Sequence, residues 1–88
     1  MSSAIIYTRE GCHLCDEAVS ALREALPDVA IELIDIEINH ELHRRYLERI
    51  PVIMVGGETV SELDEFRDGG LTRALEALGR PPDRSTSR

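Results

Sequence analysis

Residues 3–26 read SAIIYTREGCHLCDEAVSALREAL, and the pattern changes once along the way. Ser3 to Thr8 is a short apolar run with β-branched and aromatic residues, which predicts a buried strand. From Cys15 the apolar positions fall at Cys15, Ala18, Val19, Leu22, Ala25 and Leu26. That is the i, i+3, i+4, i+7 spacing of an amphipathic helix, and Pro27 stops it. Between strand and helix, GCHLCD places the only two cysteines of the chain three positions apart. The join of the two elements and the thiol pair coincide.

Ala30 to Ile38, AIELIDIEI, is isoleucine-rich and partly alternating, and reads as a second strand. Two strands joined by a helix run parallel with a right-handed crossover. Asn39 is placed to cap a short helix with Leu42, Tyr46 and Ile50 along one face. Pro51 to Val55, the Gly56-Gly57 pair and Glu58 to Val60 predict a hairpin, since glycine supplies positive φ at no steric cost. A short helical segment is expected over Ser61 to Asp68, ended by Gly69-Gly70. Leu71, Ala74, Leu75 and Leu78 then share one face of a closing helix, with Gly79 at its end. The order β-α-β-α-β-β-α specifies an α/β protein with a four-stranded mixed sheet and helices on both faces, a thioredoxin-like fold. Residues 1–80 are expected to form one domain, and the polar, proline-containing segment 81–88 a disordered tail.

The chain has 88 residues, 42% of them hydrophobic and 31% charged, with a formal net charge of -7. An acidic protein of this kind lacks the basic surface that a nucleic-acid partner requires. His43-Arg44-Arg45 is the most basic run, and Glu41 and Glu48 flank it at helical spacing, so it reads as a solvated, ion-paired helix face. No stretch approaches the roughly 20 apolar residues of a membrane span, and the N-terminal stretch shows no signal-peptide pattern. The expectation is a cytoplasmic monomer. In a reducing compartment a permanent structural disulfide is disfavoured.

The helix pattern gives the two cysteines different surroundings. Cys15 starts the apolar face and is expected to point inward. Cys12 sits one turn earlier, where unpaired backbone N–H groups and the positive end of the helix dipole gather. A thiolate there is stabilised and its pKa lowered from roughly 8.5. An exposed attacking thiol with a sheltered resolving thiol three residues on is what exchange through a mixed disulfide needs. Asp16 and Glu17 oppose the thiolate, and a protonated His13 favours it. The rival reading is metal: Cys12 and Cys15 with His40 and His43 as a zinc set, or half of an iron–sulfur cluster shared between two molecules. Twenty-four residues separate the two pairs, where zinc fingers have roughly twelve to fifteen. A fold that binds a partner without reacting is the third alternative.

YTREGCHLC resembles the strand-to-active-site segment of glutaredoxins, RIPVIMVGGETV their proline-led strand and hairpin, and LDEFRDGGLTRAL their closing helices. The resemblance spans residues 3 to 79, and the CHLC centre followed by an acidic residue is closest to small bacterial glutaredoxin-like proteins. It implies a dithiol thiol–disulfide oxidoreductase with Cys12 as nucleophile and Cys15 as resolving thiol. It further implies a cis-proline at Pro51 facing the active site, with the Ile50 backbone pairing to the substrate in β fashion. Arg9 would lie near a glutathione carboxylate, with His13 and Leu14 at the lip and Asp64 at the start of the third helix. No tightly bound cofactor is implied. Glutathione or another low-molecular-weight thiol would be the co-substrate, disulfide-containing proteins the substrates, and glutathione or a thioredoxin-reductase-like flavoprotein the reductant. The chain departs from the family where Leu14 replaces the active-site tyrosine and where Ser61-Glu62 replaces a glycine pair. Glu62 brings a negative charge to where glutathione's own charged groups come close.

Overall fold

The structure, a computed structural model, describes residues 3–79; the segment expected to be a tail lies outside them. The first strand, β1 (Ser3–Thr8), pairs in parallel with β2 (Ala30–Asp35). The helix α1 (His13–Ala25) connects them. On its other edge β1 pairs antiparallel with β3 (Val52–Val55), which pairs antiparallel with β4 (Glu58–Glu62). The sheet order is β2-β1-β3-β4, the mixed arrangement of the thioredoxin-like fold. Gly56 and Gly57 turn the β3–β4 hairpin with φ of 61° and 84°, the pair of positive values that a two-residue turn matched to strand twist requires.

Alternation along the strands sorts the core into two clusters. Ala4 and Ile6 of β1 and Ile53 of β3 pack with Ala18 and Leu22 of α1 and with Ala74 and Leu78 at the closing helix α3 (Gly70–Ala77). Val52 and, half-buried, Tyr7 and Met54 pack with Tyr46 of α2 (His40–Tyr46), Ile36, Ile50 and Cys15. Helices thus cover both faces. Cys15 belongs to the α2 cluster although the next buried turns of α1, Ala18 and Leu22, belong to the other.

Three boundaries differ from the sequence expectation. β2 stops at Asp35, because the Asp35 carboxylate accepts from the Glu37 amide at 2.8 Å and starts a 3-10 helix, Ile36–Ile38. The alternation that suggested a strand to Ile38 continues into this turn, and leaves Ile38 75% exposed. Asn39 caps α2 as expected, its side chain accepting from Glu41 and Leu42. Ile50, however, lies beyond the helix on a turn, where the Arg49 and Ile50 amides both donate to the Tyr46 carbonyl. β4 runs on to Glu62, and the helical segment after it is a 3-10 helix, Leu63–Arg67.

Where β4, this 3-10 helix and α3 meet, the packing leaves no room. A Cβ on Gly70 would fall 2.5 Å from Ser61 Oγ and 2.8 Å from both Ser61 Cβ and the Glu65 carbonyl. The Ser61 hydroxyl is buried without a hydrogen-bond partner among the described residues. Gly70→Ala is expected to cost about 1–3 kcal/mol by overpacking. Ser61→Ala removes an unsatisfied hydroxyl and is expected to stabilise by about 1 kcal/mol. Their combination recovers only part of the loss, since the Glu65 carbonyl still blocks the added methyl; denaturant midpoints of the three variants measure this.

Candidate active site

The site begins where β1 ends. Gly11 adopts φ 84°, which lets the chain fold back so that the Cys12 amide donates to the Arg9 carbonyl at 3.2 Å. Cys12 is then the N-cap of α1, in extended conformation. The Cys15 amide lies in the first turn, where it has no intrahelical carbonyl to bond, and it donates instead to Cys12 Sγ at 3.1 Å. The Cys12 and Cys15 Cα atoms are 5.2 Å apart and the sulfurs are joined as a disulfide. Cys12 is half-buried and Cys15 only 1% exposed. A backbone N–H and the helix dipole both favour negative charge on Cys12 Sγ, whereas Cys15 Sγ is surrounded by Ile36, Tyr46, Ile50 and Val52.

Ile50 and Pro51 come to the same cluster end. The Ile50–Pro51 peptide is cis, and Pro51 is buried. The Ile50 amide is already engaged with the Tyr46 carbonyl at 3.0 Å, so pairing both backbone groups of Ile50 with a substrate requires that bond to open. The other candidate residues are spread more widely. Arg9 turns its guanidinium to Glu37 at 2.6 Å, and the same carboxylate oxygen lies 3.7 Å from His43 Nε2. His13 is exposed on the first turn of α1, and Asp64 is exposed on the 3-10 helix Leu63–Arg67. Leu14 is half-buried and packs against the α1–α3 cluster, on the side away from Cys15. Among the described residues no three His, Cys, Asp or Glu are grouped to hold a metal ion. Cys12 and Cys15 are therefore not joined by His40 and His43 into a four-donor set.

Sequence reasoning missed an aromatic and ionic cluster at this end. Tyr7 and Tyr46 stack with ring centroids 4.4 Å apart, and the Arg49 guanidinium lies 5.4 Å from the Tyr46 ring centroid. Arg49 Nη2 donates to Glu62 Oε2 at 2.5 Å. That hydrogen bond holds the Glu62 carboxyl below its ordinary range, with partial burial opposing, and pushes Arg49 further up. Burial raises the Tyr7 phenol, and the neighbouring Tyr46 adds to it. Arg49 and Glu62 are thirteen residues apart, and only the β3–β4 register, which sets Glu62 opposite Val52, brings them together.

Against this geometry, the comparisons with known proteins agree. The profile of the family described as Glutaredoxin-like domain (DUF836) matches residues 3–76. The chain belongs to this glutaredoxin-like family. Among solved structures, protein Ne2328 from Nitrosomonas europaea is 30% identical, with a TM-score of 0.64 over 80% of this chain and 89% of that one. Glutaredoxin from Brucella melitensis is 29% identical, with a TM-score of 0.58 over 93% of this chain and 96% of its own. A buckwheat glutaredoxin–glutathione complex is 18% identical and shares the fold, with a TM-score of 0.57 over 92% of this chain and 83% of that one. No curated protein matches the chain. Family, fold and the Cys12–Cys15 pair together support thiol–disulfide oxidoreductase chemistry at a general level.

Two expectations follow from the site. In the reduced protein an alkylating reagent modifies Cys12 first, and Cys15 only on unfolding, as peptide mass mapping would show; equal rates would contradict the burial. The Arg49–Glu62 pair is partly solvated, at 40% and 31% side-chain exposure, so Glu62→Gln costs under about 1 kcal/mol at neutral pH. Because the folded-state pKa of Glu62 is lowered, that contribution is full above the ordinary carboxylate pKa of roughly 4.3 and is lost as pH falls through the folded value. The stability difference between wild type and Glu62→Gln should therefore shrink on acidification.

Proposed function

We propose that the protein is a dithiol thiol–disulfide oxidoreductase that reduces protein or low-molecular-weight disulfides through Cys12. The observation that carries this reading is the hydrogen bond from the Cys15 amide to Cys12 Sγ at the N-cap of α1, with Cys15 buried one turn behind. It supports an activated sulfur and a sheltered one within bonding reach.

The Cys12 thiolate attacks one sulfur of the substrate disulfide. The other sulfur leaves as a thiolate and takes a proton from solvent, and a mixed disulfide remains at Cys12. Cys15, once deprotonated, attacks Cys12 Sγ, releases the second substrate thiol and forms the Cys12–Cys15 disulfide. The substrate has gained two electrons and two protons, and the protein has lost them. Two equivalents of glutathione or another small thiol, or a thioredoxin-reductase-like flavoprotein, return the pair to the dithiol. The buckwheat neighbour, solved as a glutathione complex, supports a thiol of that kind as co-substrate. The apolar wall around Cys15 disfavours its thiolate, so that Cys12 makes the first attack. In the bound state an extended substrate backbone lies along Ile50–Pro51, with Arg9, His13 and Asp64 at the rim.

Cys12→Ser is expected to abolish turnover in a disulfide-reduction assay, and near-wild-type activity would refute the reading. Cys15→Ser should still form the mixed disulfide at Cys12, which mass spectrometry detects as a stable adduct. Reduction of the oxidised protein by glutathione, compared with reduction by a thioredoxin reductase, then identifies the electron donor.

A further inference from the structure

Cys12 and Ile50 meet at one buried cluster, and one charged pair adjoins it. Arg49 directly precedes Ile50, and its guanidinium rests over the ring of Tyr46, which shares the buried cluster of Cys15 and Ile50. Glu62 stands opposite Val52, the residue after Pro51. The two segments are tied by the backbone as well, since the Leu63 amide donates to the Arg49 carbonyl at 3.1 Å. Leu63 holds a left-handed φ of 54°, a conformation that costs a non-glycine residue energy and that sharply redirects the chain after Glu62. Both side chains remain open to solvent at 40% and 31% exposure, so the ion pair can exchange with a solute.

A guanidinium offers a planar fork of donors suited to a carboxylate. Here one carboxylate already occupies it, and that carboxylate is the protein's own. Resting on the oxidoreductase reading above, we propose that Arg49 is the receptor for a substrate carboxylate beside Pro51 and that Glu62 competes for it. The pair thereby selects against disulfides that carry a carboxylate on a residue flanking the reacting cysteine. An uncharged substrate passes without disturbing the pair, whereas an anionic one must first displace Glu62 and then face its freed charge. Selectivity of this kind comes from a repulsive element built into the site.

The test compares two mixed disulfides of one reporter thiol: one with glutathione, one with glutathione diethyl ester, which keeps the backbone and lacks both carboxylates. The quantity read is the ratio of kcat/KM for acid over ester. Glu62→Gln is expected to raise this ratio about fivefold, the scale of one partly exposed charge pair. Arg49→Gln is expected to lower it by a similar factor, because Glu62 is then unpaired, and Arg49→Lys should fall between Arg49→Gln and wild type. The changes should lie in KM for the acid substrate and shrink when salt is raised to about 0.5 M. Arg44→Gln, on the exposed face of α2, serves as control and should leave the ratio alone. A ratio unchanged in both Glu62→Gln and Arg49→Gln, or shifted in the same direction by both, would overturn the proposal; a merely structural pair gives that result. If Cys12→Ser retained turnover, the oxidoreductase reading itself would fall. With turnover dependent on Cys12 and the ratio unmoved, only the role of the pair would.

Discussion

The first-turn amides of a helix have no carbonyl four residues back to bond, and the site depends on how α1 resolves that. At Cys15 the amide finds Cys12 Sγ at 3.1 Å. One hydrogen bond thus caps the helix and holds the leading sulfur at the positive end of the dipole. It is available only because Gly11 turns the chain between β1 and α1 with a positive φ. A serine or aspartate at this position would cap as well or better. A cysteine there performs the same structural task with a sulfur as the acceptor.

Cys15 marks where the two halves of the core meet. Its helix packs through Ala18 and Leu22 on the α3 side of the sheet, yet Cys15 itself joins Tyr46, Ile50 and Val52 on the α2 side. The Cys15 sulfur is therefore buried by Ile36 as well as by Tyr46, Ile50 and Val52, and its shelter depends on elements brought together by the sheet. The same cluster carries the Tyr7–Tyr46 stack and, over it, the Arg49 guanidinium. Apolar burial, aromatic stacking and one partly exposed ion pair thus adjoin at this end.

The glutaredoxin resemblance rests on three segments: the strand-to-helix join, the Ile50–Pro51 turn and the β3–β4 hairpin. The departures lie in side chains: Leu14 in place of a tyrosine, and Ser61-Glu62 in place of two glycines. Leu14 turns into the α1–α3 cluster and so acts in packing. Ser61 is buried against Gly70, where its hydroxyl is unpartnered among the described residues. Glu62 takes Arg49 as its partner, so the negative charge foreseen at this point is present but neutralised.

Local pattern was enough to read much of the fold: the run of Ser3 to Thr8, the 3.6-residue spacing from Cys15, the Asn39 cap and the glycine hairpin are set by neighbours in sequence. The burial of Cys15 was legible for the same reason, because an apolar helix face is local, whereas Cys12, expected to be exposed, is half-buried. Boundaries failed where a side chain intervened, as when Asp35 captured the Glu37 amide and ended β2 early. The Arg9 guanidinium went to Glu37, a pairing decided by the turn that ends β2. What no local pattern contains is the partner of Arg49. Register alone sets Glu62 across from Val52, and in that register the arginine two residues before the proline meets the Glu62 carboxylate. Sequence by itself determined where the cysteine pair falls and which way its helix faces; tertiary structure decided which charges lie near it, because ion pairs form between strands that meet only in the folded sheet.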